Sequence, residues 1–121
     1  MADDALFIGW GEVVRGREQR ALEVFGETVA FWQDAQGNGR VESFEPCLLQ
    51  PHGGGLAGYM LIRGERTQLD ALAASDEFNR LVARANAVVD ELGVMNAFCG
   101  EALARQMGFF QTAANELATA A

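Results

Sequence analysis

The sequence predicts a two-layer α+β domain, and three observations carry that prediction. Short β-rich runs alternate with longer stretches of helical periodicity. The order of these segments is strand, helix, strand, strand, helix, strand, followed by one more helix. Two of the strand-to-helix junctions carry the same Arg-Gly pair, Arg15-Gly16 and Arg63-Gly64, at matching places in the two halves.

Residues 5–14, ALFIGWGEVV, open the chain as a strand. Ala5, Phe7, Gly9, Gly11 and Val13 alternate with Leu6, Ile8, Trp10 and Glu12. Both sets carry apolar groups, so the strand should be covered on both sides. Gly16 ends it. Over 17–36, Ala21, Leu22, Phe25, Val29 and Trp32 recur at helical spacing and form one stripe. Gly37-Asn38-Gly39 closes that helix, because Gly and Asn tolerate the left-handed conformation of a C-terminal cap.

Residues 40–50, RVESFEPCLLQ, read as a second strand, and Pro46 marks it as an edge strand or a bulge because it has no N–H to donate. Residues 51–55, PHGGG, form a loose turn into a third strand at 56–63, LAGYMLIR, which makes an antiparallel hairpin. A short helical piece begins near Thr67. Ser75 then looks like a fresh N-cap, with Asp76 and Glu77 in the first turn. Phe78, Leu81, Val82, Ala85, Val88, Val89 and Leu92 predict a helix running to Gly93. A fourth strand follows at 94–99. A last helix over 101–118 sets Leu103, Met107, Phe110, Ala114 and Leu117 on one face. Phe109 and Phe110 do not share a stripe, so one of them is free to reach a partner subunit. The βαββαβ order with a hairpin between two βαβ halves is the split-βαβ, or ferredoxin-like, arrangement.

Length and composition bound the rest. A chain of 121 residues suits one domain, 1–121, able to bury its own core. The formal net charge is −8, and all nine bases are Arg. An acidic chain repels phosphate backbones and lacks the basic face that draws a helix to anionic lipid, so no nucleic acid and no membrane partner is expected. The absence of Lys removes Schiff-base chemistry. Two cysteines, Cys47 and Cys99, are too few for a disulfide scaffold and lack metal-ligand spacing, so no metal is expected. The acidic opening Met1-Ala2-Asp3-Asp4 does not resemble a secretion signal. A bacterial, cytoplasmic protein with free thiols is the reading that follows.

A helix-covered antiparallel sheet usually turns a polar face to water. If Gly9, Gly11, Gly58, Met60 and Ile62 face the helices, then Ile8, Trp10, Tyr59 and Leu61 face away and form an apolar patch. A second copy on a two-fold axis would cover it, so a homodimer is expected. In ALFIGWGEVV, VESFEPCLLQPHGG, LAGYMLIRG and Ser75-Asp76-Glu77-Phe78, the chain resembles the dimeric α/β barrel superfamily over nearly its whole length. Antibiotic-biosynthesis-type monooxygenases and muconolactone isomerases are members. The resemblance implies two sheets packed face to face, with a pocket in each protomer for a small molecule and no cofactor. The haem-degrading branch uses an Asn, a Trp and a His. This chain has Trp10, Trp32, His52 and Asn96, but none in a motif that aligns with that branch, so no catalytic residue is carried over.

The candidate ligand-binding residues are Trp10, Glu45, His52, Tyr59 and Arg63. On the open face Arg63 would hold a carboxylate and Trp10 would stack on a ring, with Tyr59 beside them and Glu45 joining from the second strand. The plainer reading pairs Arg63 with Glu45 or Glu12 as a structural ion pair at the dimer seam, since a buried Arg needs a partner. His52 is the only imidazole available as a base, and its plainer role is a solvated turn residue. Gly53-Gly54-Gly55 could offer backbone N–H groups to an anion. Cys47, Cys99 and Trp32 read as packing residues. Asn96 needs a polar partner if buried. The expected function is therefore to bind, or to transform as a cofactor-independent monooxygenase or isomerase would, a small aromatic or anionic molecule. The alternative is a non-catalytic ligand-binding, accessory or structural dimer. Whether the chain is an enzyme stays open at this point.

Overall fold

The computed structural model describes residues 2–120. Its elements are β1 (Asp4–Trp10), α1 (Glu18–Gly37), β2 (Ser43–Leu48), β3 (Gly58–Gly64), α2 (Arg66–Ala73), α3 (Asp76–Asn86), β4 (Gly93–Phe98) and α4 (Gly100–Ala120). The sheet is fully antiparallel in the order β2-β3-β1-β4. This is the α+β, ferredoxin-like arrangement with one added C-terminal helix.

The register decides what each strand shows to each layer. Leu6 lies opposite Ile62, Ile8 opposite Met60 and Trp10 opposite Gly58. Paired residues share a face, and Leu6, Ile8, Met60 and Ile62 are all buried under the helices. Phe31, Trp32, Ala35, Leu69, Leu72, Phe78 and Leu81 close the core from α1, α2 and α3. Trp32 is fully buried, edge-on to Phe31 at 4.9 Å and to Phe78 at 5.5 Å. Its indole N–H has no partner among the described residues.

The expected split of faces holds for β3 and is inverted for β1. Tyr59 and Leu61 do face away from the helices, but Ile8 and Trp10 do not; Phe7 and Gly9 take that side. Space explains the inversion. A side chain at Gly58 would come within 2.6 Å of Trp10 Cζ2, so the indole lies flat across the glycine on the helix side. On the other side Phe7 lies over Gly9, where a Cβ would sit 2.8 Å from its ring.

The ends of β1 and of the third helix also differ from expectation, and β2 is shorter than the expected 40–50. β1 stops at Trp10, because the Gly11 N–H turns to donate to Asp90 O at 2.7 Å. The third helix stops at Asn86 instead of running to Leu92. Val88 and Val89 are β-branched and join the extended chain after β1. The Val14 N–H donates to Val88 O at 2.9 Å, and Val13 bridges Val89. Ser75 is the cap that was expected: its Oγ accepts from Phe78 N–H at 3.2 Å. No helix among the described residues is long and apolar enough to cross a membrane.

Candidate functional site

The segment that replaces the end of the expected helix has a consequence for the interior. Because α3 stops early, Val88, Val89 and Leu92 spread under one end of the sheet instead of filling it, and a cavity of about 420 Å³ remains. Ile8, Trp10 and Met60 form its roof, and Leu22, Phe25 and Thr28 of α1 form one wall. The Trp10 and Phe25 rings meet edge to face at 6.0 Å. Leu22 and Leu48 stand at the rim, 67% and 74% exposed, so the cavity opens to solvent between α1 and the end of β2.

The lining is almost wholly apolar. Apart from the Trp10 indole, its polar side chains are Thr28 and Glu18, both engaged by the backbone. Thr28 Oγ1 donates to Val24 O at 2.8 Å, and the Glu18 carboxylate accepts from Gly16 N–H at 3.0 Å. Neither forms an acid–base pair with the other. Among the described residues, no cluster of three or more His, Cys, Asp or Glu has a geometry that could hold a metal ion.

Of the five residues singled out in the sequence, only Trp10 lines this cavity. Tyr59, Arg63 and Glu45 occupy the opposite, open face of the sheet. There Phe7 and Tyr59 stack at 5.4 Å and Met95 is about half exposed. The Tyr59 hydroxyl titrates above its ordinary value. Its cross-strand neighbour Cys47 is the main cause, through side-chain hydrogen bonding and, in its ionised form, through charge; loss of hydration and the Glu45 carboxylate add to it.

Arg63 does not pair with Glu45 or Glu12. Its Nε and Nη2 both donate to the Ala2 carbonyl, at 3.0 and 2.7 Å, and tie the start of the chain to β3. Asn96 finds its partner in Arg66, whose Nη1 donates to Asn96 Oδ1 at 2.7 Å. His52 is stitched into its own turn. Nδ1 accepts from Gly54 N–H at 3.2 Å, and Nε2 lies 2.8 Å from Leu56 O, to which it donates as the neutral tautomer. Both ring nitrogens are engaged by backbone.

The sequence reading missed Val88, Val89 and Leu92 as cavity residues because their spacing continues the α3 stripe. The adjacent β-branched pair followed by Asp90-Glu91 was the available signal. Phe25 and Leu22 were both read as part of the core-facing stripe; Phe25 packs against the core, but Leu22 stands exposed at the rim, and nothing in a single helix stripe reveals a gap in front of it.

No protein-family model matches the chain, and no curated protein matches it. Solved structures do. SnoaB, a cofactor-independent oxygenase from Streptomyces nogalater, matches at 20% identity over 82% of this chain and 97% of its own, with a TM-score of 0.52. A dimeric protein of unknown function and ferredoxin-like fold from Bacteroides fragilis matches at 8% identity, over 78% of this chain and 95% of its own, with a TM-score of 0.56. An ethyl tert-butyl ether d (ethd) family protein from Bacillus halodurans matches at 9% identity, over 78% and 96%, with a TM-score of 0.58. At these identities the likeness establishes architecture alone: the chain has a ferredoxin-like fold, as the Bacteroides fragilis protein has.

Proposed function

We propose that this chain binds a small, neutral, largely aromatic molecule in the cavity between the sheet and α1, and that two copies pair through the open sheet face. The cavity carries the reading. Its volume of about 420 Å³ lies within the roughly 300–1,000 Å³ typical of small-molecule sites. Trp10 and Phe25 offer ring surfaces for stacking. An anionic ligand is disfavoured, since Glu18 stands in the wall and Arg63 is spent on the Ala2 carbonyl on the other face. Pairing of copies is supported by the apolar open face of Phe7, Tyr59, Leu61 and Met95, and by the dimeric protein among the structural neighbours. The setting is a reducing cytoplasm, with Cys47 and Cys99 as free thiols.

Binding without catalysis is the reading best matched to the side chains, because no acid–base pair converges on the cavity. The likeness to SnoaB favours a second reading, cofactor-independent oxidation. That reading requires an electron-rich aromatic substrate that supplies its own reactivity, and it predicts oxygen uptake on mixing.

The test is a titration with the neutral probe N-phenyl-1-naphthylamine, followed by its fluorescence. One saturable site per chain is expected. Ala85→Phe, which grows into the cavity from α3, should abolish binding while the unfolding transition stays cooperative. Leu61→Glu on the open face should leave probe binding intact. Saturation that survives Ala85→Phe would place the ligand elsewhere.

A further inference from the structure

α4 stands apart from the rest of the molecule. It is 21 residues long, about 31 Å at 1.5 Å per residue. The tie to the body lies just before it, where Cys99 N–H donates to Asp3 O at 2.9 Å. From Leu103 to Thr119 every residue is exposed. Leu103, Met107, Phe110, Ala114 and Leu117 are nonetheless spaced 4-3-4-3, the seam pattern of a helix that packs on another element. Charged and polar groups, Glu101, Arg105, Thr112 and Glu116, lie on the opposite side of the helix. In proteins most helical stability comes from packing an amphipathic face rather than from propensity, so the stripe calls for a cover.

We propose that α4 is an arm that packs its Leu103–Met107–Phe110–Leu117 stripe against a second copy of this chain. The inference rests on the pairing of copies proposed above and extends that interface beyond the sheet. Surface area points to a large missing contact. The chain exposes 7739 Å². A compact monomer of 13.1 kDa should expose only about 6,400 Å². The excess is larger than the roughly 800 Å² that each partner buries in a standard interface.

Continuity points to the same occupant. α4 follows β4 after the single residue Cys99, and Met95 of β4 sits beside Phe7 on the open face, so sheet face and arm adjoin. Gly100 adopts φ 52°, in the left-handed region that favours glycine, where the chain passes from β4 into α4. A lipid surface fits poorly, because the arm has two acids against one base.

Sedimentation equilibrium of the full chain tests this, with circular dichroism as the check on folding. The wild type should be a dimer. Phe110→Glu and Leu117→Glu should each raise the dimer dissociation constant by about 100-fold or more, since each sets a charge into an apolar contact. Both positions are 70% or more exposed within one chain, so the fold should survive. Thr112→Glu, on the far side of the arm, should change nothing. If Leu61→Glu separates the copies and Phe110→Glu does not, pairing through the sheet stands and the arm is refuted. A wild-type monomer refutes both. Equal weakening by Thr112→Glu and Phe110→Glu would refute the stripe as the contact.

Discussion

Replacing Gly58 by Ala tests the contact that sends Trp10 to the helix side. The backbone φ at Gly58 is not in the left-handed region, so space alone decides the outcome. The new Cβ would lie 2.6 Å from Trp10 Cζ2 and 2.9 Å from the Cys47 carbonyl oxygen. The indole could swing, but the carbonyl belongs to the neighbouring strand and cannot. Overpacking of this kind costs about 1–3 kcal/mol. The smaller conformational freedom of Ala in the unfolded chain returns about 0.5–1 kcal/mol. A net loss of about 1–2 kcal/mol follows. With an unfolding entropy near 0.25 kcal/mol/K for 121 residues, the thermal midpoint should fall by about 4–8 °C. Differential scanning calorimetry measures the shift, and tryptophan emission should move as Trp10 is displaced while Trp32 stays buried. Gly26→Ala on α1 is the control: it meets nothing within 4 Å and should raise the midpoint by about 2–4 °C. A Gly58→Ala protein as stable as Gly26→Ala would show that the indole does not cross Gly58, and the roof of the cavity would have to be redrawn.

Other outcomes are equally specific. Tyr59 is the only tyrosine, so absorbance near 295 nm reports it alone; its midpoint should lie above 10.0 and fall toward that value in Cys47→Ala. Because the folded chain raises this pKa, the associated stability is complete below about pH 10 and is lost as pH rises through the folded value; urea midpoints that climb from pH 9 to 11 would contradict it. Ser75→Ala should cost about 1 kcal/mol in urea unfolding and Ser75→Gly only a few tenths, as expected for an N-cap. His52→Ala should loosen the turn at 51–56, seen as faster amide exchange, and leave N-phenyl-1-naphthylamine binding unchanged. A loss of binding there would bring His52 into the site.

The order of elements was legible because helices and strands impose different periods on the apolar residues. Ser75 marked a helix start through local chemistry alone. The face of β1 was not legible. Leu6-Ile8-Trp10 and Ala5-Phe7 are both apolar, so alternation carried no information. The deciding fact is that Trp10 lies opposite Gly58, and that pairing exists only once the register is set. The early end of α3 was hidden for a similar reason. Val88, Val89 and Leu92 fit the helical period, yet Val88 and Val89 pair with Val14 and Val13, more than seventy residues earlier. The cavity follows from those two facts, so it too depended on contacts between distant segments. Arg63 illustrates the limit for charges: the reading that it must be paired was sound, but its partner is a main-chain oxygen, which no side-chain pattern can reveal.

The position of β1 between β3 and β4 sets a timetable for synthesis. Asp4 pairs with Phe98 and Gly9 with Gly93, so the first strand made has to wait for the last. At ribosomal rates of about 5–20 residues per second, that wait is roughly 5–20 s. During it, α1 can shelter Leu6 and Ile8, while Phe7 on the other face has no cover. The sheet can complete itself only after residue 98 has left the exit tunnel, with α4 following directly behind. Of the four strands, β1 therefore waits longest for a partner along one of its edges.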